Sequence, residues 1–259
     1  MRRENADVDG YRPETYGDAI ADVYDEWYPM DAEGESAVAF LFEASRGGRV
    51  LELGVGTGKL AIPLAERGLE VHGVDSSPAM LERLRAKPGG ERVQVRVGDM
   101  AGDLPDGPFA LVFVATNTFF GLCSVAEQQA AFGAIAARLG DDGRFVLDAF
   151  VPDDPPRSTS VVEVQKVTVD GVVISVSDAD IPSQTAWGQM VEIRADGIRM
   201  RPWKVRWSTP AELDEMAAAA GLLLLERHSS WDKDPFTEDS SNHVSIYGRA
   251  AAGLGSGVR

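Results

Sequence analysis

The chemistry this chain can do is concentrated at Glu52-Leu53-Gly54-Val55-Gly56-Thr57-Gly58 and at Asp75. Glycines at alternate positions let the main chain come close to a ligand, and the free N–H groups opening the following helix offer it donors. Asp75 ends the next strand, where a carboxylate can accept both hydroxyls of a ribose. A dinucleotide site carries G-x-G-x-x-G with a pyrophosphate on the helix N-terminus. Here the spacing is G-x-G-x-G, and an acid stands two positions before the first glycine. That acid repels a pyrophosphate but pairs with an ammonium group. The pattern favours a nucleoside cofactor bearing an amine. An NAD-dependent oxidoreductase and a non-catalytic nucleoside-binding protein stay as alternatives.

From Glu52 to Asp75 the chain resembles the class I S-adenosylmethionine-dependent methyltransferases of small-molecule type, whose first motif is E/D-x-G-x-G-x-G. The resemblance implies that Gly54 and Gly56 pack under S-adenosylmethionine, that Glu52 lies near its methionine end and that Asp75 holds its ribose. It extends to Gly98-Asp99-Met100, where the acid, or the N–H after it, reads the adenine amino edge. Met80 corresponds to a hydrophobic side chain against the adenine, with a plain core methionine as the other reading. Ser76 and Ala115 complete the expected cofactor set. An N-terminal helix closes over the cofactor in the family; on that analogy Tyr16 contacts it, while Tyr24 and Tyr28 face the reaction centre. The family's last strand runs antiparallel, which would bring its start, and with it His243, to the active site as general base. Methylases of bases and glutamine often carry Asn/Asp-Pro-Pro-Tyr/Phe after the fourth strand. Asn117-Thr118-Phe119-Phe120 lacks the prolines, which argues against those acceptors and leaves Asn117, Phe119 and Phe120 to line an apolar acceptor pocket. The expected function is methyl transfer by direct displacement to N, O or C of a small, partly apolar metabolite.

These residues need elements to hold them. Residues 49–75 read as strand, glycine-rich turn, helix and strand, so a parallel sheet is implied. Upstream, residues 13–28 place Tyr16, Ile20, Val23, Tyr24 and Trp27 at helical spacing, and a second helix spans 33–45 before Gly47-Gly48. Downstream, helices are expected over 79–86 and 125–139, and strands over 92–97, 109–115 and 143–150. Alternation then breaks. Four strand-like runs follow, paired across Asp170-Gly171 and Asp196-Gly197, a strong hairpin signal. Trp187, Met190, Trp203 and Trp207 in this region fit an acceptor roof, a subunit contact or the insert's own core, with Trp187 the acceptor candidate. The fold class is α/β: a doubly wound, mostly parallel seven-stranded Rossmann-like sheet with an inserted small antiparallel sheet. The expected organisation is an N-terminal helical lid (1–46), a core (47–151 and 208–251), the β insert (152–207) and a flexible tail (252–259).

Composition bounds the partners. With 259 residues and 44% apolar content the chain is long enough for one large core. A net charge of −16 repels a polyphosphate backbone, which argues against nucleic acid as acceptor. No apolar run approaches the length of a bilayer span, so no membrane partner is expected. Cys123, the single cysteine, suits a reducing cytoplasm and reads as a small buried residue before it reads as a catalytic thiol. No Asp/Glu/His spacing suggests a metal, and a homodimer through the insert is an expectation rather than a deduction.

Overall fold

The computed structural model describes residues 10–152 and 160–249. The tail expected at 252–259 lies outside the described residues, as do 1–9 of the expected lid and 153–159 of the insert. Strands β1 (Val50–Leu53), β2 (Val71–Asp75), β3 (Val93–Val97), β4 (Phe109–Val114), β5 (Leu139–Phe150), β10 (Leu222–His228) and β11 (Asn242–Arg249) form one sheet in the order β10-β11-β5-β4-β1-β2-β3. β1 pairs in parallel with β2 and β4, and β11 runs antiparallel between β10 and β5. Helices α3 (Ala32–Ser45), α4 (Ala61–Glu66), α5 (Pro78–Ala86), α6 (Val125–Arg138) and α7 (Pro210–Ala219) connect and flank these strands. β1 and β4 are apolar at nearly every position because both faces of the sheet are covered. Asp31, Ser77, Ser124 and Thr209 cap α3, α5, α6 and α7 with side-chain oxygens, which fixes where those helices begin.

A second sheet of four antiparallel strands, β6 (Ser160–Val167), β7 (Gly171–Asp180), β8 (Thr185–Arg194) and β9 (Gly197–Arg206), lies between β5 and α7 in sequence. Its hairpins turn at the two Asp-Gly pairs. A buried polar knot joins it to the larger sheet's helical layer. Gln128 on α6 donates to the Arg206 carbonyl at 2.8 Å, and Arg206 and Ser208 both donate back to Gln128 Oε1 at 3.0 and 2.7 Å.

The N-terminal segment departs from the single helix expected over 13–28. It forms α1 (Thr15–Ile20) and α2 (Tyr24–Trp27), separated at Ala21-Asp22-Val23. In a continuous helix the Ala19 carbonyl would accept from the Val23 N–H. Here the Arg201 guanidinium of β9 occupies that carbonyl, and the Val23 N–H turns to Ile20 instead, at 3.0 Å. Arg201 also donates to Asp22 and, at 3.0 Å, to the buried Glu192 of β8. Removing one partner of such a buried ion pair costs roughly 3–5 kcal/mol.

Candidate active site

A cavity of about 650 Å³ opens at the carboxyl ends of β1, β2 and β4, where open α/β sheets bind ligands. Its floor is the glycine turn. Gly54 and Gly56 have φ of +69° and +52°, a region where side chains are strained. A Cβ on Gly54 would stand 2.3 Å from Thr118 Cγ2, so glycine is what lets the loop after β4 close onto the turn. At Gly56 a Cβ would meet nothing nearer than 4.0 Å and would project into open space at the cavity.

Asp75 is held at the cavity wall by the backbone. The Gly56 N–H donates to Oδ2 and the Ser77 N–H to Oδ1, both at 2.8 Å. Burial raises the pKa of this carboxyl, with the two N–H bonds opposing. Glu52 lies just behind, inside β1. Its Oε2 is buried without a hydrogen-bond partner, and burial with the charge of Asp75 pushes its pKa well up. An ammonium group would supply the missing partner. A glycine cradle, a carboxylate aimed by two N–H groups and an acid with one buried oxygen left unpaired together fit an adenosyl compound that carries an amine.

Helices α1 and α2 cover this end. Ser77 Oγ donates to Asp18 Oδ1 at 2.6 Å, Thr57 Oγ1 donates to Asp25 Oδ1 at 2.6 Å, and Lys87 donates to that same Asp25 oxygen. Tyr16, Tyr24 and Tyr28 line the cavity beneath them. The Tyr16 hydroxyl donates to Tyr28, and the Tyr28 hydroxyl to Met190 Sδ at 3.8 Å. Burial raises the pKa of all three phenols, so they stay protonated at neutral pH.

The loop after β4 forms the remaining edge. Thr116 and Asn117 both take left-handed backbone, with φ of 57° and 62°, which costs a non-glycine residue on the order of 1 kcal/mol. Two bonds from β5 offset that strain. The Thr116 N–H donates to Asp148 Oδ2 and the Phe150 N–H to Asn117 Oδ1, both at 2.7 Å. Burial pushes the Asp148 carboxyl up to about 6; the Thr116 N–H opposes and the charge of Glu33 adds to it.

Of the residues singled out from sequence, Tyr16, Tyr24, Tyr28, Gly54, Gly56, Asp75, Ser76, Met80, Asp99, Met100 and Asn117 line this one cavity. Asp99 Oδ1 accepts the Ala101 N–H at 2.7 Å, which orders the turn after β3. Ala115 and Glu52 are buried behind the lining. Four placements are corrected. His243 does not reach the cavity lining; it is wholly buried beside Phe236, its Nδ1 2.8 Å from the Ser245 hydroxyl, and burial holds its pKa down at about 4. Phe119 and Phe120 face inward, against Phe132 and Phe150 with ring centroids 5.2 and 5.0 Å apart. Trp187 pairs across β7 and β9 with Asp178 and Lys204 and is absent from the lining.

Sequence reasoning missed Tyr11, Arg12, Cys123, Glu127 and Lys204, and it left Met190 and Trp203 without a commitment; all seven line the far end. Tyr11 had a signal in the aromatic density of the N-terminal stretch; burial raises its pKa to about 12. The others come from α6, β8, β9 and short loops, and no local spacing links them.

A methyltransferase domain family profile matches residues 50–143. The chain is similar to the solved CcbJ methyltransferase from Streptomyces caelestis, at 38% identity and a TM-score of 0.85, covering 93% of this chain and 100% of that one. It is 28% identical to the cypemycin N-terminal methyltransferase of a Streptomyces species over 243 residues, 92% of this chain and 98% of that protein. The sugar N-methyltransferase KedS8 from a Streptoalloteichus species shares the fold at a TM-score of 0.67 and 21% identity, covering 96% of this chain and 99% of that one.

Proposed function

This chain belongs to the class I S-adenosylmethionine-dependent methyltransferases of small-molecule type, and from that premise we propose that it methylates an amine nitrogen on a small, partly apolar acceptor. When bound, S-adenosylmethionine supplies an electrophilic methyl group on a cationic sulfur. Asp75 takes the ribose hydroxyls, Gly54 and Gly56 admit the nucleoside, and Glu52 balances the amino group. Asp99, Met100 and Met80 meet the adenine, and Ser76 lies beside the ribose. Tyr16 bridges to the acceptor end, where Tyr24 and Tyr28 orient the nitrogen lone pair. Such alignment alone supplies several kcal/mol, up to ~7–11 in the best cases.

One observation carries the choice of nitrogen. The acceptor end is lined by phenols that burial keeps protonated, no histidine lines the cavity among the described residues, and the carboxylate at that end, Glu127, accepts the Ser124 hydroxyl at 2.9 Å as part of the α6 cap. An unactivated hydroxyl or a weakly acidic carbon needs a base; an amine needs only to be neutral. The names of two relatives, an N-terminal and a sugar N-methyltransferase, agree with this reading. The test uses paired acceptors that differ in amine basicity, plus a hydroxyl isostere. The acid limb of kcat/KM should move with the amine's own pKa and the isostere should be inert. An isostere methylated as fast as the amine overturns the reading.

A homodimer is the second proposal. Val162, Val164, Val167, Ile198 and Met200 are all more than half exposed on the face of the second sheet that carries Ile174, Val191 and Ile193. That is roughly 500–700 Å² of apolar surface, above the few hundred Å² usual on a monomer and near one partner's share of a standard interface. A second copy stacking its own face there would bury it. Light scattering should give a dimer for the wild type and a monomer for Val164→Lys/Ile198→Lys; a monomeric wild type refutes it.

A further inference from the structure

We infer that Asp148 is a positioning residue for methyl transfer: its carboxylate, through the Thr116 N–H, holds the loop after β4 in the backbone that edges the cavity. The loop needs holding. Thr116 and Asn117 are consecutive non-glycine residues in left-handed conformation, both line the cavity, and the next residue, Thr118, sits against the glycine turn at Gly54. A relaxed loop would withdraw this edge of the cavity while leaving the glycine turn in place.

Asp148 grips the loop twice. Its Oδ2 accepts the Thr116 N–H at 2.7 Å and its own carbonyl accepts the Asn117 N–H at 3.3 Å. Two residues along β5, the Phe150 N–H takes the Asn117 side-chain oxygen. Asn117, exposed at the cavity, thus spends its amide oxygen on the loop's own geometry. β5 is a fixed anchor, paired with β4 on one side and with β11, through Val244 opposite Asp148, on the other. Burial disfavours a charge at Asp148, so packing alone does not explain a carboxylate at a position where a neutral side chain would sit more easily. Asp148 itself lies outside the cavity lining, and its effect reaches the reacting atoms through the loop.

The test compares Asp148→Ala with Asp148→Asn, whose amide oxygen can still accept the Thr116 N–H. For each, amide hydrogen exchange at Thr116 and Asn117, kcat, the KM of both substrates and the Kd of S-adenosylhomocysteine are measured. In Asp148→Ala, exchange at both amides should speed up and kcat should fall about tenfold or more, since small displacements near reacting atoms are costly. In Asp148→Asn both should return toward wild type, and the Kd should stay within about threefold in either variant. Unchanged exchange in Asp148→Ala, or equal loss of kcat in both variants, overturns the proposal. If Asp148→Ala does not fold, Asn117→Ala releases the other tie from an exposed position; faster exchange at Thr116 with lowered kcat sustains the proposal, and unchanged exchange sinks it. Exchange and affinity are read without any acceptor, so those two outcomes are independent of whether the acceptor is an amine, while the kcat comparison rests on the proposed methyl transfer.

Discussion

Replacing Asp75 with alanine separates the cofactor site from the fold that carries it. The carboxylate accepts two backbone N–H groups, from Gly56 and Ser77, and is proposed to accept two ribose hydroxyls. Hydrogen bonds to a charged partner contribute about 1.5–3 kcal/mol each. Losing both ribose bonds therefore weakens binding by about 3–6 kcal/mol, or roughly 10²–10⁴-fold in Kd. The fold responds differently. Two orphaned N–H groups cost about 1–3 kcal/mol each, but Asp75 has a raised pKa in the folded state. A raised carboxyl pKa means that folding is disfavoured above the unfolded value, and alanine removes that penalty. The two effects oppose each other, so the unliganded protein should remain folded and lose less stability than two orphaned N–H groups alone would cost. Calorimetric titration with S-adenosylhomocysteine, alongside thermal melts without ligand, reads both quantities. A Kd within about threefold of wild type in a folded variant would refute the ribose assignment and with it the reasoning from the turn.

Other expectations follow from single contacts. His243 has a folded pKa of about 4 against an ordinary 6.5, so it supports the fold above pH 6.5 and loses that support as pH falls toward 4, by about 3 kcal/mol in all. His243→Gln should flatten this part of the acid limb in urea melts while keeping turnover at neutral pH; lost turnover in a stable variant would restore it as a base. Tyr28→Phe breaks the hydroxyl chain from Tyr16 to Met190 and should lower kcat about tenfold with little change in cofactor affinity; unchanged kinetics remove Tyr28 from the reaction. Gly17→Ala would set a Cβ 2.5 Å from Ser77 Cβ, prising α1 off the cofactor end. Its Kd for S-adenosylhomocysteine should rise at least fivefold, roughly 1 kcal/mol, and an unchanged Kd would show that α1 does not press there.

The cofactor end was legible because its logic is local. Strand, glycine turn, helix and acid-terminated strand follow one another between Val50 and Asp75, and each announces itself by period or by residue type. The rest of the cavity was not, because Tyr11, Glu127, Met190 and Lys204 come from the N-terminal stretch, α6, β8 and β9 and meet only in the folded chain. Phe119 and Phe120 misled for a related reason: the sequence places them after β4 but does not say that Phe132 of α6 packs against the first and Phe150 of β5 against the second. Register alone brought His243 beside Ala149, yet its ring turned into the layer with Phe236. The break between α1 and α2 was invisible to periodicity, since its cause is an arginine far along the chain on another sheet.

That same arginine has a kinetic consequence. Arg201 is rooted opposite Met190 in the neighbouring strand and grips both Ala19 and Asp22, so the helical cap and the Met190 wall of the cavity are tied to each other. Weakening that one guanidinium, as in Arg201→Lys, is therefore expected to quicken release of the spent nucleoside and of the methylated product together, and stopped-flow release rates that respond separately would refute the linkage.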